Sequence, residues 1–193
     1  LKVKIFNQNY FVEIGNLNIY NVLASLAILK ILNLDINRII KYYKKYEATP
    51  GRGKIYKIFR YQKFFKLIDE SYNANPLSVK TAIQNFNAIK KKNFKKYLLL
   101  GDMLELGKKS DVLHKNLSEV INKSDIDKVF VKGNKSLITY KYILKKKRGN
   151  ILQQDEDIDS TLNDVISNND YLMIKGSNAT GLNNICKRII KGF

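Results

Sequence analysis

The sequence is poor in the residues that make many kinds of chemistry possible. It has one cysteine among 193 residues, so no internal disulfide can form and nothing points to an oxidising compartment. Cys186 falls on the apolar face of the last predicted helix, where a thiol serves as a small buried hydrophobe. One histidine, His114, has no carboxylate motif beside it and is read as structural. No serine, histidine and acid set is arranged for nucleophilic catalysis, and no zinc-ligand spacing occurs. The most apolar run, Val22 to Leu34, is interrupted by Lys30 and Asn33 and is too short and too polar for a membrane span. No charged head, apolar stretch and small-residue cleavage site marks a secretory signal. These absences lead to the expectation of a cytoplasmic protein without membrane insertion.

Acidic residues are also scarce: 17 against 35 Lys and Arg, for a net charge of +18. Such a balance suits nucleic acid or another polyanion. The lysines, however, are scattered through every segment. The abundant Lys, Asn, Ile, Tyr and Phe are those an AT-rich genome favours. No specific nucleic-acid partner is therefore expected, although a basic surface suits a polyanionic nucleotide. A non-catalytic basic module that binds nucleotide or nucleic acid stands as the alternative reading.

What is present is an ordinary globular composition, 45% hydrophobic and 27% charged. Lys2 to Ile14 reads as a hairpin around Asn7 to Asn9. Asn18 to Leu34 is apolar on nearly every side and reads as a buried helix, followed by a helix over 36–46. The cluster Thr49-Pro50-Gly51-Arg52-Gly53 is the best candidate boundary. After it, short apolar strands (55–59, 64–68, 97–100, 129–131, 171–174) alternate with amphipathic helices (76–90, from Ser110, 135–144, around Ile158 to Ile166, and Leu182 to Ile190). That alternation predicts an α/β domain with a mostly parallel sheet covered on both faces. Ser110 is expected to cap its helix. The lysine clusters Lys90 to Lys92 and Lys145 to Arg148 are read as solvated helix ends.

In open α/β sheets ligands bind beyond the carboxyl ends of the strands. Three polar segments fall there, and a fourth opens the first helix. Asp69-Glu70-Ser71-Tyr72-Asn73-Ala74-Asn75-Pro76 offers a carboxylate pair able to accept hydrogen bonds from sugar hydroxyls, with Asn75 placed as a helix cap. In Gly101-Asp102-Met103-Leu104-Glu105-Leu106-Gly107, Asp102 and Glu105 could bind an ammonium group. Lys175-Gly176-Ser177-Asn178-Ala179-Thr180-Gly181 combines a lysine with a helix start, the ingredients of an anion site, or of a cap by Asn178 or Thr180. Asn18 can cap the first helix, and Asn21, one turn in, needs a partner.

Together these segments, in this order, resemble the Mur ligase family, in particular the branch that joins D-alanyl-D-alanine to UDP-N-acetylmuramoyl-tripeptide. The resemblance covers essentially the whole chain. It implies that residues 1–50 are the end of a central ATPase domain and residues 51–193 a C-terminal Rossmann-like domain. It implies ATP as cosubstrate and Mg2+ held by ligands outside this chain. The glycine-rich P-loop ending in Gly-Lys-Ser/Thr is absent, so by this resemblance the chain is a fragment that would not catalyse the reaction alone. The implied chemistry is phosphorylation of a peptide carboxylate by ATP, followed by attack of the dipeptide amine on the acyl phosphate.

Carried onto this sequence, the family's ATP contacts are Asn21, Arg52, Asp69, Glu70, Tyr72, Asn73 and Asn75, with the Asp69/Glu70 pair on the ribose. The dipeptide contacts are Asp102, Glu105, Lys175, Gly176, Ser177 and Asn178, with Lys175 or the Ser177 N–H facing the dipeptide carboxylate. Three positions depart from the family's habit. Leu17 stands for a frequent histidine, Glu70 for a frequent aspartate, and Asn178 for a frequent arginine.

Overall fold

The computed structural model describes residues 2–5, 8–13, 17 and 19–192. The chain divides into two compact units, Leu1–Ala48 and Thr49–Phe193.

In the first unit, β1 (Lys2–Ile5) and β2 (Gln8–Phe11) form the expected antiparallel hairpin. The helix α1 (Ile19–Ile31) and the short α2 (Ile36–Ile40) pack with it around Val3, Tyr10, Val12, Val22, Leu26 and Ile36. Two expectations need correction. The first helix is not buried all round, because Tyr20, Ile28, Ile31 and Leu32 are exposed and only Val22 and Leu26 of α1 are buried. A two-stranded hairpin and one short helix can cover only one stripe of it. The second helix does not run to Tyr46 but stops at Ile40, and a 3₁₀ turn covers Tyr43–Lys45. Asp35 caps α2 by accepting from the Asn37 N–H. The Asn18 cap lies outside the described residues.

The second unit is a six-stranded sheet in the order β3-β4-β8-β5-β6-β7, built from β3 (Lys54–Arg60), β4 (Lys63–Glu70), β5 (Lys96–Gly101), β6 (Lys128–Lys132), β7 (Arg148–Ile151) and β8 (Tyr171–Lys175). Only β3 is antiparallel to its neighbour, through a two-residue turn in which Tyr61 and Gln62 both take positive φ. All other pairings are parallel, as the sequence pattern predicts. The edge strand β7 was not foreseen, since Arg-Gly-Asn-Ile carries no apolar alternation.

Strand residues alternate between two cores, and that alternation makes the layers. Leu98 and Leu100 of β5 meet Val79, Ile83 and Phe86 of α3 (Pro76–Ala88) and Leu117 and Ile121 of α4 (Ser110–Lys123), on the face that also carries α5 (Ser136–Tyr142). Tyr97 and Leu99 point the other way, to Ile158 and Leu162 of α6 (Asp155–Val165) and Leu182, Ile185, Cys186 and Ile189 of α7 (Leu182–Lys191). Cys186 is buried there, and burial pushes its thiol well above the ordinary range.

Three basic side chains, two of them buried, serve helix ends. Lys96, fully buried, donates to the Phe86 and Ile89 carbonyls at the end of α3 and pairs with Asp125 at 2.8 Å. Lys147 is buried rather than solvated, donating to the Ser124 and Ile126 carbonyls after α4, and burial lowers its ammonium. Its neighbour Arg148 donates to the Lys141 and Ile143 carbonyls that end α5. His114 is structural: its Nε2 accepts from the Met103 N–H at 3.0 Å and its Nδ1 lies 2.8 Å from the Ser110 carbonyl. Ser110 is therefore not the cap of α4. It stands inside the first turn, and no side chain caps that helix.

Candidate functional site

The carboxyl ends of the parallel strands carry the polar segments singled out above, and the structure sorts them into two clusters. The first joins the end of β4 to the turn preceding β3. Asp69 is 5% exposed, and both oxygens of its carboxylate accept hydrogen bonds. One oxygen accepts from the Gly51 N–H at 2.8 Å, the other from the Ser71 N–H at 3.1 Å and the Ser71 hydroxyl at 2.6 Å. The Gly53 N–H donates to the Asp69 carbonyl, and the Tyr72 N–H to the Gly51 carbonyl. Gly51 must be glycine: its φ is +78°, and a Cβ there would lie 2.6 Å from the Tyr72 Cβ.

This bolting decides which side chains remain outward. Arg52 is exposed and lies over the Tyr72 ring at 4.6 Å, a cation–π contact that holds both at the rim. Glu70, the next residue along, has a half-buried side chain. Burial raises its carboxyl above the ordinary range, and Lys175 and Arg52 offset part of that. Lys175, paired with Glu70 in the β4–β8 register, is 1% exposed. Its ammonium donates to the Glu70 carbonyl at 3.2 Å and to the Asn73 carbonyl, and stands 3.6 Å from the Glu70 carboxylate. Burial lowers the Lys175 ammonium, and Glu70 works against that shift. Asn75 caps α3 by accepting from the Ser78 N–H in a capping box, with Pro76 in the first turn. Tyr72 and Asn73 are exposed.

The second cluster spans the ends of β5, β6 and β8. The Asp102 carboxylate accepts from the Ser136 N–H at 2.7 Å, at the start of α5, and its carbonyl accepts from the Ser177 N–H. The Ser177 hydroxyl accepts from the Leu104 N–H and donates to the Ala74 carbonyl. The Lys175-to-Ser177 stretch therefore ties the two clusters together. Gly101 and Gly176 lie against each other and against Leu182; a Cβ on either would meet the Leu182 Cδ1 within 2.7 Å. Glu105 is exposed, at φ +61°. Asn178 is exposed too, but neither it nor Thr180 caps α7. Gly181 occupies the cap position, and the Thr180 hydroxyl turns back to the Ser177 carbonyl.

Beside this cluster opens a cleft of about 400 Å³, lined among others by Asp102, Leu104, Lys132, Asn134, Gln153 and Thr180. The reading of the sequence missed Lys132-Gly133-Asn134. The signal was there: like Gly101-Asp102 and Gly176-Ser177, it sets a glycine at a strand end. Gly133 has φ +125°, and a Cβ on it would lie 2.4 Å from the Asp102 carboxylate. Lys132 is paired with Asp155 at 2.7 Å, which holds that carboxyl below its ordinary range. Asn21 is exposed in the first turn of α1, in the other unit.

A family model described as Mur ligase, glutamate ligase domain, matches residues 57–178, well over half of the chain. The chain belongs to the Mur ligase family. Among curated Mur ligases it is 30% identical over 165 residues to the UDP-N-acetylmuramoyl-tripeptide–D-alanyl-D-alanine ligase of Rickettsia prowazekii, covering 86% of this chain and 35% of that one. It is 28% identical to the ligase of the same name from Bacillus subtilis, over 98% of this chain and 41% of that one. The chain thus spans well under half the length of these relatives. The crystal structure of MurF ligase from Thermotoga maritima in complex with ADP shares the fold, with a TM-score of 0.78 at 24% identity over 98% of this chain and 42% of that one. The α/β fold expected from the sequence pattern is the Mur ligase fold. No helix among the described residues is long and apolar enough to cross a membrane.

Proposed function

We propose that this chain is the dipeptide-accepting part of an ATP-dependent ligase that joins UDP-N-acetylmuramoyl-tripeptide to D-alanyl-D-alanine in peptidoglycan precursor synthesis. The observation that carries the reading is the match to ligases of that name along almost the whole chain. The two clusters at the strand ends give it a division of labour.

On this reading the first cluster meets ATP. Arg52 and Tyr72 face the nucleotide at the rim, and Glu70 accepts from the ribose hydroxyls. Asp69, whose oxygens are taken by Gly51 and Ser71, holds the loop that presents them. Asn73 and Asn75 shape the same loop. The second cluster and its cleft take the dipeptide, with Asp102 toward the ammonium end and Asn134 toward the carboxylate. Glu105, Gly176, Ser177 and Asn178 form the adjoining wall.

The chemistry assigned to these residues is positioning. The tripeptide carboxylate attacks the γ-phosphorus of ATP, giving an acyl phosphate and ADP. The dipeptide amine then attacks the acyl carbon, loses a proton, and phosphate leaves. The P-loop for the first step must come from outside these 193 residues, since the sequence has none. No group of three or more His, Cys, Asp or Glu side chains that could hold a metal ion occurs among the described residues; on this reading the Mg2+ that accompanies ATP is held by ligands outside these 193 residues.

The test is a coupled phosphate-release assay on the full gene product that carries this chain, with ATP, Mg2+, UDP-N-acetylmuramoyl-tripeptide and D-alanyl-D-alanine. Release that requires both peptide substrates is the expected result. Nucleotide binding with no dipeptide-dependent release would overturn it in favour of a non-catalytic nucleotide-binding module.

A further inference from the structure

Among the described residues, Lys175 is the one buried cation at the carboxyl ends of the strands; it lies between the two clusters, and its geometry assigns it to one of them. We infer that Lys175 is a positioning residue for the nucleotide, acting through Glu70, and not a contact for the dipeptide carboxylate. The inference rests on the proposed role of Glu70 at the ribose and adds to it a residue that touches no substrate.

Glu70 and Lys175 are register partners on adjacent parallel strands, so their side chains leave the sheet on the same face. An ammonium has three N–H donors. Those of Lys175 have three acceptors close by, the Glu70 carbonyl, the Asn73 carbonyl and the Glu70 carboxylate. All three belong to the Asp69–Pro76 segment. The Lys175 side chain is 2% exposed, against 24% for Glu70. Lys175 is not among the residues lining the cleft beside Asp102. An anion in that cleft would have to draw the ammonium away from three partners to reach it.

The arrangement explains how Glu70 can work. A glutamate has three side-chain torsions and, half-buried, would otherwise sample several rotamers. Gly53 lies on one side of its carboxylate, where an added Cβ would stand 3.1 Å from Oε1, and the Lys175 ammonium lies on the other. The head group sits between them. The same ammonium fixes the Asn73 carbonyl, and with it the backbone that carries Tyr72 toward Arg52.

The experiment compares ATP with 2′,3′-dideoxy-ATP in the full gene product, using Lys175→Met, Lys175→Arg, Glu70→Gln and the Glu70→Gln/Lys175→Met double variant. The readout is the ratio of kcat/KM for the two nucleotides, which a merely structural role would leave unchanged. Wild type is expected to prefer ATP by about tenfold or more, the worth of a charge-assisted hydrogen bond. Lys175→Met should lose most of that preference, with the double variant no worse than Glu70→Gln alone. Lys175→Arg, which keeps the charge but displaces it, should fall between, and supplies the same ratio where Lys175→Met does not fold. A wild-type ratio retained in the Lys175 variants, with the KM for D-alanyl-D-alanine raised instead, would overturn the inference while leaving Glu70 in place. A wild type indifferent to the ribose hydroxyls would overturn the Glu70 role and this inference together.

Discussion

The two loop clusters at the carboxyl edge of the sheet have similar compositions and opposite states. Around Asp69 nearly every polar group is consumed. The buried carboxylate, the Gly51 and Gly53 amides, Ser71 and the Lys175 ammonium satisfy one another. Beside Asp102 the chain instead leaves a cleft of about 400 Å³, with Asn134, Gln153 and Lys132 on its wall. The contrast teaches that a run of polar residues after a strand is first of all a fold device. What it leaves outward, Arg52, Tyr72 and Glu70 on one side and the cleft wall on the other, is what can meet a ligand.

The contrast can be broken most severely at Asp69. Asp69→Ala removes the acceptor for two buried amides and one hydroxyl and should cost about 3 kcal/mol or more of stability, read by chemical denaturation. A loss below about 1 kcal/mol would mean the loop is held by its backbone bonds alone. Next comes Gly133→Ala. A Cβ there collides with the Asp102 carboxylate, so a loss of about 1–3 kcal/mol is expected, together with a raised KM for D-alanyl-D-alanine and an unchanged KM for ATP.

A smaller effect sharpens the role of Glu70. Its folded-state pKa lies above the free value, so the folded protein holds that proton more tightly. The stabilisation this gives is complete below the free glutamate value and is lost as pH rises through the folded one. Relative to Glu70→Gln, the wild type should therefore lose stability as the pH is raised from acid to neutral, seen as diverging melting temperatures. Parallel curves would contradict the burial of that carboxylate. The smallest effect belongs to Asn178. Exposed and not a cap, it should change stability by less than about 0.5 kcal/mol on replacement by alanine.

Much of this was legible in the sequence for a physical reason: buried parallel strands must be apolar on both faces, and their helices must carry a stripe. That pattern marked β4, β5, β6, β8 and the helices between them. Asn75-Pro76 gave the α3 start, since a cap and a first-turn proline are local chemistry. What stayed hidden depends on tertiary partners. The edge strand β7 has no apolar alternation, so pairing alone makes it a strand. Lys96 and Lys147 look like surface lysines until the helix ends they serve are placed beside them. At the site, the sequence marks Asp69 and Glu70 as a pair, but only the turn folding back from Gly51 separates the acid that holds the loop from the acid left at the rim. Lys132-Gly133-Asn134 does not stand out in the sequence, because a short loop between a strand and a helix is common.

The central claim is that the two clusters serve different substrates, and crossed kinetics test it most directly. Glu70→Gln and Asn134→Ala would each be assayed for KM toward ATP and toward D-alanyl-D-alanine in the full gene product. The account predicts a crossed pattern: about tenfold on ATP alone for Glu70→Gln, and a rise for the dipeptide alone for Asn134→Ala. Equal increases for both substrates in both variants would contradict it and make the strand ends a single undivided site.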